Sequence, residues 1–461
     1  MISKRFFRLL IGVGIFIVIS LLPNPEGLDY SGQLMIALFF MVAWYWVTEA
    51  MPLPATALMV IVLLPLLNIL ETDEVFIAFG NQAVFFLIGA FILASALETH
   101  NLHKRIALYF LRLFEGTPRR FIFGIMVTGA SISFIIPEHA VVVLLLPIIL
   151  LILRESDVVP RQSDFGRVSI IAIAYGCSIG SLATPIGGAR NPLAIGFLDD
   201  TVGQQLSFIE WMKYSLPIVS ICLGLTWIVL MKIFPPERSF DLSSTKHVIQ
   251  KEIQELGSMN DKAKLVIGIM GLTIVLWIFM AHELNIAIIA LIGSVLLFVT
   301  NCISWKDIEN SVPWGIILLY GGAITLGVGM ERSGAASWIT GSIVSVVGTD
   351  PYLILFMLIV MTIGITNMIS NTASVAMLLP IGYGFSQEVP ELTPLLTTLT
   401  IAFSGGLAFM LIIATPGNLI TYSSGHYSSK DLLKAGFWTN IVCIVVIFII
   451  AITYWDWIGV W

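Results

Sequence analysis

Apolar runs long enough to cross a bilayer recur along almost the whole chain, at 9–22, 33–47, 53–70, 83–97, 215–234, 265–281, 286–300, 353–369 and 437–455. In hydrocarbon every backbone N–H and C=O has to be paired within the protein, so runs of this kind fold as helices. Of 461 residues, 57% are hydrophobic and 11% charged, and the mean hydropathy is +0.96. No soluble domain of this length tolerates such a surface. The chain reads as an all-α polytopic membrane protein. Its longest polar stretch, 235–264, has a charged, partly helical pattern and reads as a cytoplasmic linker between two membrane halves.

Cys177, Cys222, Cys302 and Cys443 stand singly, without CxxC spacing or a nearby pair of histidines, which argues against disulfide or zinc chemistry. Lys4, Arg5 and Arg8 precede an apolar run as in a signal peptide. Pro23-Asn24-Pro25-Glu26 offers no small-residue cleavage site, so an uncleaved first helix is expected. With the N-terminus in the cytoplasm and the C-terminus outside, twenty of the 23 basic residues fall in cytoplasmic segments. Lys213 and Arg332 fall outside and Arg190 within the membrane. That count requires 118–152 and 351–386 to be re-entrant hairpins, entering and leaving on one side.

The second half repeats the first at a nearly constant offset. Gly89–Glu98 matches Gly322–Glu331, Ser133 matches Thr366, and Pro137–Pro147 matches Ser370–Pro380, each 233 positions apart. An odd number of spans between equivalent units makes the repeats inverted, the plan of many secondary transporters. The expected units are 1–234, with scaffold helices over 9–70 and a transport part over 81–234, and 265–461 for the second repeat. After each hairpin a helix is interrupted, by TPIGGARNP at 184–192 and by ATPGN at 414–418. Backbone freed in this way cannot face lipid, and half-helix ends offer N–H groups to anions and carbonyls to cations. A packing kink explains most single membrane prolines, but two matched interruptions beside two polar hairpin tips point to a binding site.

Five ordered motifs carry a family resemblance: TEAMPLPATALMVIVLLPLL (48–67), NLHKR (101–105), WGIILLYGGAITLGVGMERSG (314–334), SNTASVAMLLP (370–380) and ATPGNLITYSSGHY (414–427). Through them the chain resembles the divalent anion/sodium symporter family of sodium-coupled dicarboxylate, citrate and sulfate carriers. The resemblance implies a homodimer in which each protomer has about eleven transmembrane helices plus two re-entrant hairpins, divided into scaffold and transport domains that work as an elevator. It implies sodium as coupling ion, no other cofactor, a small divalent anion as cargo and no nucleic acid partner. It further implies a second sodium site at Thr366, Ser370, Asn371 and the Ala414 backbone, with Asn371, Thr372, Thr415, Pro416 and Asn418 facing substrate. Gly417 departs from the second proline usual in the family.

The first half departs further. Ser133 is kept, but the hairpin tip is Pro137-Glu138-His139, and Gly188-Ala189-Arg190-Asn191 stands where the family usually has Thr-Pro-Pro-Asn. Ser133, Glu138, Gly187 and Gly188 thus make a degenerate first ion site, and Glu138, His139, Arg190 and Asn191 join the candidate substrate residues. A charge at the centre of a membrane helix costs about 2.5–3.5 kcal/mol, so Glu138 and Arg190 are expected to pair. Three readings remain open. The guanidinium is a fixed charge in place of a mobile sodium and a carboxylate or sulfate ligand, or Glu138 and His139 form a proton site, or the pair braces the hairpin.

Remaining features have plainer readings. Glu49 and Glu283 mark helix ends, residues 98–116 form an amphipathic surface arm, and Trp44, Trp46, Trp211, Trp305, Trp455, Trp457 and Trp461 read as an interfacial belt. No glycine-rich segment has the lysine and strand context of a phosphate loop, and no nucleophile-and-base or metal motif supports an enzyme. The expected function is transport of a C4 dicarboxylate or, next, sulfate across a bacterial inner membrane. A proton-coupled or sodium-independent exchanger and a non-transporting sensor are the alternatives.

Overall fold

The computed structural model describes residues 2–114, 116–237 and 243–461, all of whose regular elements are helical. Among them six helices are long and apolar enough to cross a membrane, and Ala335–Val347 with Pro351–Thr366 forms a further bent pair at 117°. Leu53–Leu66, Ile286–Val299 and Pro394–Ser404 are shorter apolar helices.

The duplication reaches individual helix ends. The first hairpin is Pro118–Ser133 and Glu138–Glu155, the second Pro351–Thr366 and Asn371–Glu388, and all four boundaries differ by 233. Proline at the first helical position, where no backbone donor is needed, opens both hairpins. Thr117 caps the first through Arg120 N and Asp350 the second through Leu353 N. Each hairpin packs on the first segment of its own half's broken helix, Asp164–Gly180 or Pro394–Ser404, while the second segments cross over: Arg190–Val202 packs on Asn371–Glu388, and Pro416–Ser423 on Glu138–Glu155. Helices Leu102–Leu113 and Ala335–Val347 precede the hairpins as matching arms. The first buries Leu102, Ala107, Leu108 and Leu111 on one face, as its amphipathic pattern requires; residue 115, within the expected 98–116 arm, lies outside the described residues.

Two expectations change in detail. The tryptophans do not form a uniform belt. Trp46, Trp211 and Trp455 are fully buried, with Trp211 and Trp455 hydrogen-bonding backbone carbonyls, whereas Trp305 and Trp457 are exposed. An indole that can satisfy a freed carbonyl is better placed inside than at the interface. The linker, of which 238–242 lie outside the described residues, is not a free connector. Its helix Ser243–Glu255 buries Val248 and Ile249 against Leu102–Leu113 and Glu138–Glu155, and Lys104 pairs with Glu252 at 2.8 Å. Glu49 does end a helix, as the left-handed C-cap of Tyr30–Thr48.

Candidate functional site

The two hairpin tips are built differently. In the second, Ser370 is the N-cap of Asn371–Glu388 and accepts from Ala373 N at 3.2 Å. In the first, Pro137 takes the cap position and has no side chain to offer, while Glu138 puts a carboxylate in the first turn, where the helix dipole favours it. Glu138 is therefore at home locally. Arg190 is not: it is the first residue of Arg190–Val202, so its guanidinium stands at the positive end of a helix while only 3% exposed.

Both breaks satisfy their freed carbonyls by one repeated device. Asn191 Nδ2 donates to Ser181 O and Thr184 O, ten and seven residues back, at 2.8 and 2.7 Å. Asn418 Nδ2 donates to Ala408 O and Leu411 O, again ten and seven residues back, both at 3.0 Å. In each, Oδ1 is buried without a partner. Trp211 Nε1 closes Leu182 O at 2.9 Å and Ser215 closes Ala183 O at 2.7 Å. Tyr175 Oη closes Phe409 O at 2.9 Å. Pairing at this level is what permits irregular backbone at membrane depth.

At the second break Thr366 Oγ1 lies 2.8 Å from both Asn371 Oδ1 and Gly405 O. Three oxygens share a single hydroxyl proton, leaving surplus lone pairs of the kind a hard cation takes up. The residues thus fit a sodium ion. Thr415 caps Pro416–Ser423 through Asn418 N at 3.0 Å, and Ala414 is buried, while Pro416 is exposed and Thr372 half-buried.

The first break holds the charges. Among the described residues the ion pairs do not include Glu138 with Arg190. The expected direct contact is replaced by a bridge: Ser181 Oγ accepts from Arg190 Nη2 at 2.7 Å and reaches Glu138 Oε2 at 3.2 Å. The one Ser181 proton also has the Ser178 carbonyl at 2.7 Å, so Glu138 competes for it. The guanidinium lies in a slot between two glycines. A Cβ at Gly188 would come within 2.8 Å of Nη1, and one at Gly406 within 2.4–2.5 Å of Nη2, Cζ and Nε. Gly406 belongs to the second repeat and follows the Gly405 that faces Thr366. Arg190 Nε is buried without a partner, and Leu193 N, on the same helix, donates to Tyr320 Oη at 3.0 Å.

Ser133 is buried with an unpartnered hydroxyl, and a Cβ at Gly187 would sit 2.7 Å from Ser133 O, so these two adjoin. His139 is half-buried beside Glu138. Ser181, Gly405 and Gly406 were not among the sequence candidates. Their signal, short Ser/Gly runs at the ends of broken helices, reads equally as close helix packing.

Paired hairpins set against paired broken helices, with unpaired polar atoms at the breaks, define a secondary membrane carrier. The model of the sodium:sulfate symporter transmembrane region matches residues 3–461. The chain belongs to that family, and is a membrane transporter rather than an enzyme. It is 32% identical to the sodium-dependent dicarboxylate transporter SdcS of Staphylococcus saprophyticus over 96% of this chain and 90% of the relative. The SdcS of Staphylococcus aureus strain RF122 is likewise 32% identical, over 97% and 91%. In fold it is similar to MtrF of Neisseria gonorrhoeae, from a class described as antimetabolite efflux pumps, with a TM-score of 0.56 at 13% identity over 97% of this chain and 94% of that one. The YdaH transporter of Alcanivorax borkumensis gives 0.54 at 11% identity over 82% and 85%.

Proposed function

We propose that the chain carries a C4 dicarboxylate, with sulfate as the next candidate, across a bacterial cytoplasmic membrane, coupled to sodium bound at Thr366, Ser370, Asn371 and the Ala414 backbone. Arg190 carries the anion part of this reading. A buried cation at a helix N-terminus, with Nε free, gains from an anionic ligand through both its own charge and the helix end. One carboxylate would lie against Asn371, Thr372, Thr415 and Asn418 and the other against Arg190 and Asn191. Arg190 then stands permanently where a first sodium would otherwise have to bind, at Ser133, Glu138, Gly187 and Gly188.

The motion proposed is an elevator in a homodimer with its N-terminus in the cytoplasm and its C-terminus outside. Helix Gln82–Thr99 packs chiefly on Ile286–Val299 and also on Asp261–Phe279, and Trp314–Arg332 on Leu53–Leu66. These helices form the fixed body in this reading, and the hairpins and broken helices beyond the two arms form the moving one. The fixed part is therefore drawn to include 82–99, rather than stopping at 70.

Uptake of radiolabelled succinate into proteoliposomes tests the proposal, with an inward sodium gradient against a potassium control and with malate, citrate, 2-oxoglutarate and sulfate as competitors. Sodium-stimulated uptake competed by malate is the expected result, and Thr366→Ala should abolish the stimulation. Absence of uptake and of any thermal shift with all five anions would overturn it. The fixed charge of Arg190 favours a second reading, sodium-independent exchange, for which succinate counterflow without sodium is the signature. Proton coupling through Glu138 and His139 would instead appear as uptake driven by a pH gradient and lost in Glu138→Gln.

A further inference from the structure

The helix that begins with Arg190 ends with two adjacent carboxylates, Asp199 and Asp200, that the scheme above does not use. Carboxylates in a last helical turn stand at the negative end of the dipole and need compensation. The compensation comes from two other helices. Asp200 accepts from Asn81 Nδ2 and Asp199 from Gln82 Nε2, and Gln82 Oε1 accepts from Asn285 Nδ2 at 2.5 Å. Asn81 and Asn285 are the N-caps of Gln82–Thr99 and Ile286–Val299, their Oδ1 atoms accepting from Ala83 N at 2.6 Å and Ala287 N at 2.8 Å. Each asparagine thus caps its own helix with oxygen and reaches outward with nitrogen. Two positive helix ends face one negative end. The two helices also pack closely here, since a Cβ at Gly196 would lie 2.5 Å from Ala83 Cβ and 3.0 Å from Asn81 Oδ1. A small cleft bounded by Phe86, Ile195, Leu206 and Ile286 adjoins the contact.

We infer that Asn81–Asp200 and Gln82–Asp199 form a latch between the fixed body and helix Arg190–Val202, which holds the binding site in its observed position and opens once in every transport cycle. These are positioning residues. Asp200 lies ten residues along a continuous helix from Arg190, about 15 Å by helical rise, so it contacts no substrate but moves with the residue proposed to do so. The inference rests on the elevator reading.

Asn81→Ser separates the two roles of that residue, because serine also caps a helix N-terminus but cannot reach across as the amide does. With succinate as the probe, turnover in proteoliposomes should change roughly five- to thirtyfold while KM stays near the wild-type value. Gly196→Ala should act in the same direction by wedging the contact open. A cysteine at Leu206, in a chain whose four native cysteines are replaced by alanine, should react faster with maleimide in Asn81→Ser; this readout needs no substrate. A reducible bis-thiosulfonate cross-link between Gln82→Cys and Asp199→Cys in the same cysteine-free chain, at two side chains that already meet, tests the motion itself and should stop transport until reduced. If that cross-link blocks transport but Asn81→Ser and Gly196→Ala leave both turnover and labelling unchanged, the latch is refuted and the elevator stands. Full transport with the cross-link formed would refute both.

Discussion

At the scale of single residues, the two charges of the first half are not equivalent. Glu138 sits where its helix welcomes a carboxylate, whereas Arg190 sits where its helix resists a cation, so the case for an anion site rests on Arg190. Gly406→Ala should drive the guanidinium from its slot and raise the succinate KM by roughly 10- to 100-fold, the range for losing a charge-assisted hydrogen bond. Titrating succinate uptake checks this, and an unchanged KM would show that the slot is irrelevant to binding. Arg190→Lys should fail to rescue, because an ammonium cannot fill a planar slot and hold Ser181 in the same geometry. The charges were legible in the sequence because ionised residues in apolar runs are conspicuous. Ser181 and Gly406 were not, since serine and glycine are ordinary in packed membrane helices and only the folded chain brings them to Arg190. The expected direct ion pair misses for the same reason: pattern gives the partners but not the hydroxyl between them.

At the scale of elements, the asparagine of each break acts as a clasp, satisfying two carbonyls that no helix can reach. Replacing either Asn191 or Asn418 by alanine leaves both carbonyls unpaired, at about 1–3 kcal/mol apiece, so both variants should lower the melting temperature markedly in detergent. A single affected position would mean the two breaks are held by different means. The hairpin helices begin at the expected 118 and 351, where a proline at the first helical position follows a capping residue. The ends ran past expectation, to Glu155 and Glu388 instead of 152 and 386. Charged or polar residues close an apolar run without closing a helix, which continues into the interface.

At the scale of the whole molecule, the segment between the halves is anchored at both ends. Glu237 accepts from Asp164 N, Phe165 N and the Ser163 hydroxyl, capping the helix Asp164–Gly180 from outside. Burial pushes its carboxyl up, but these hydrogen bonds and its own backbone N–H outweigh burial and hold it below the usual carboxylate range. A carboxyl so lowered stabilises the fold fully above its unfolded pKa and loses that contribution as pH falls through its folded value. Glu237→Gln should therefore lower the melting temperature at neutral pH and narrow the gap to wild type as the pH is taken into the acidic carboxylate range; a constant gap would rule the anchor out. Ile249→Asp should undock the linker helix from the first arm and hairpin, seen as faster proteolysis within 243–255. None of this docking was legible, since a charged amphipathic stretch looks alike whether it lies on water or on another helix. The slot at Gly406 carries one last consequence, for descent. A duplicated gene begins with halves that can replace one another, yet here an arginine is accommodated between a glycine of its own half and the absent side chain of Gly406 in the other. Exchanging either half for a copy of its twin would therefore part the charge from the bare position that receives it.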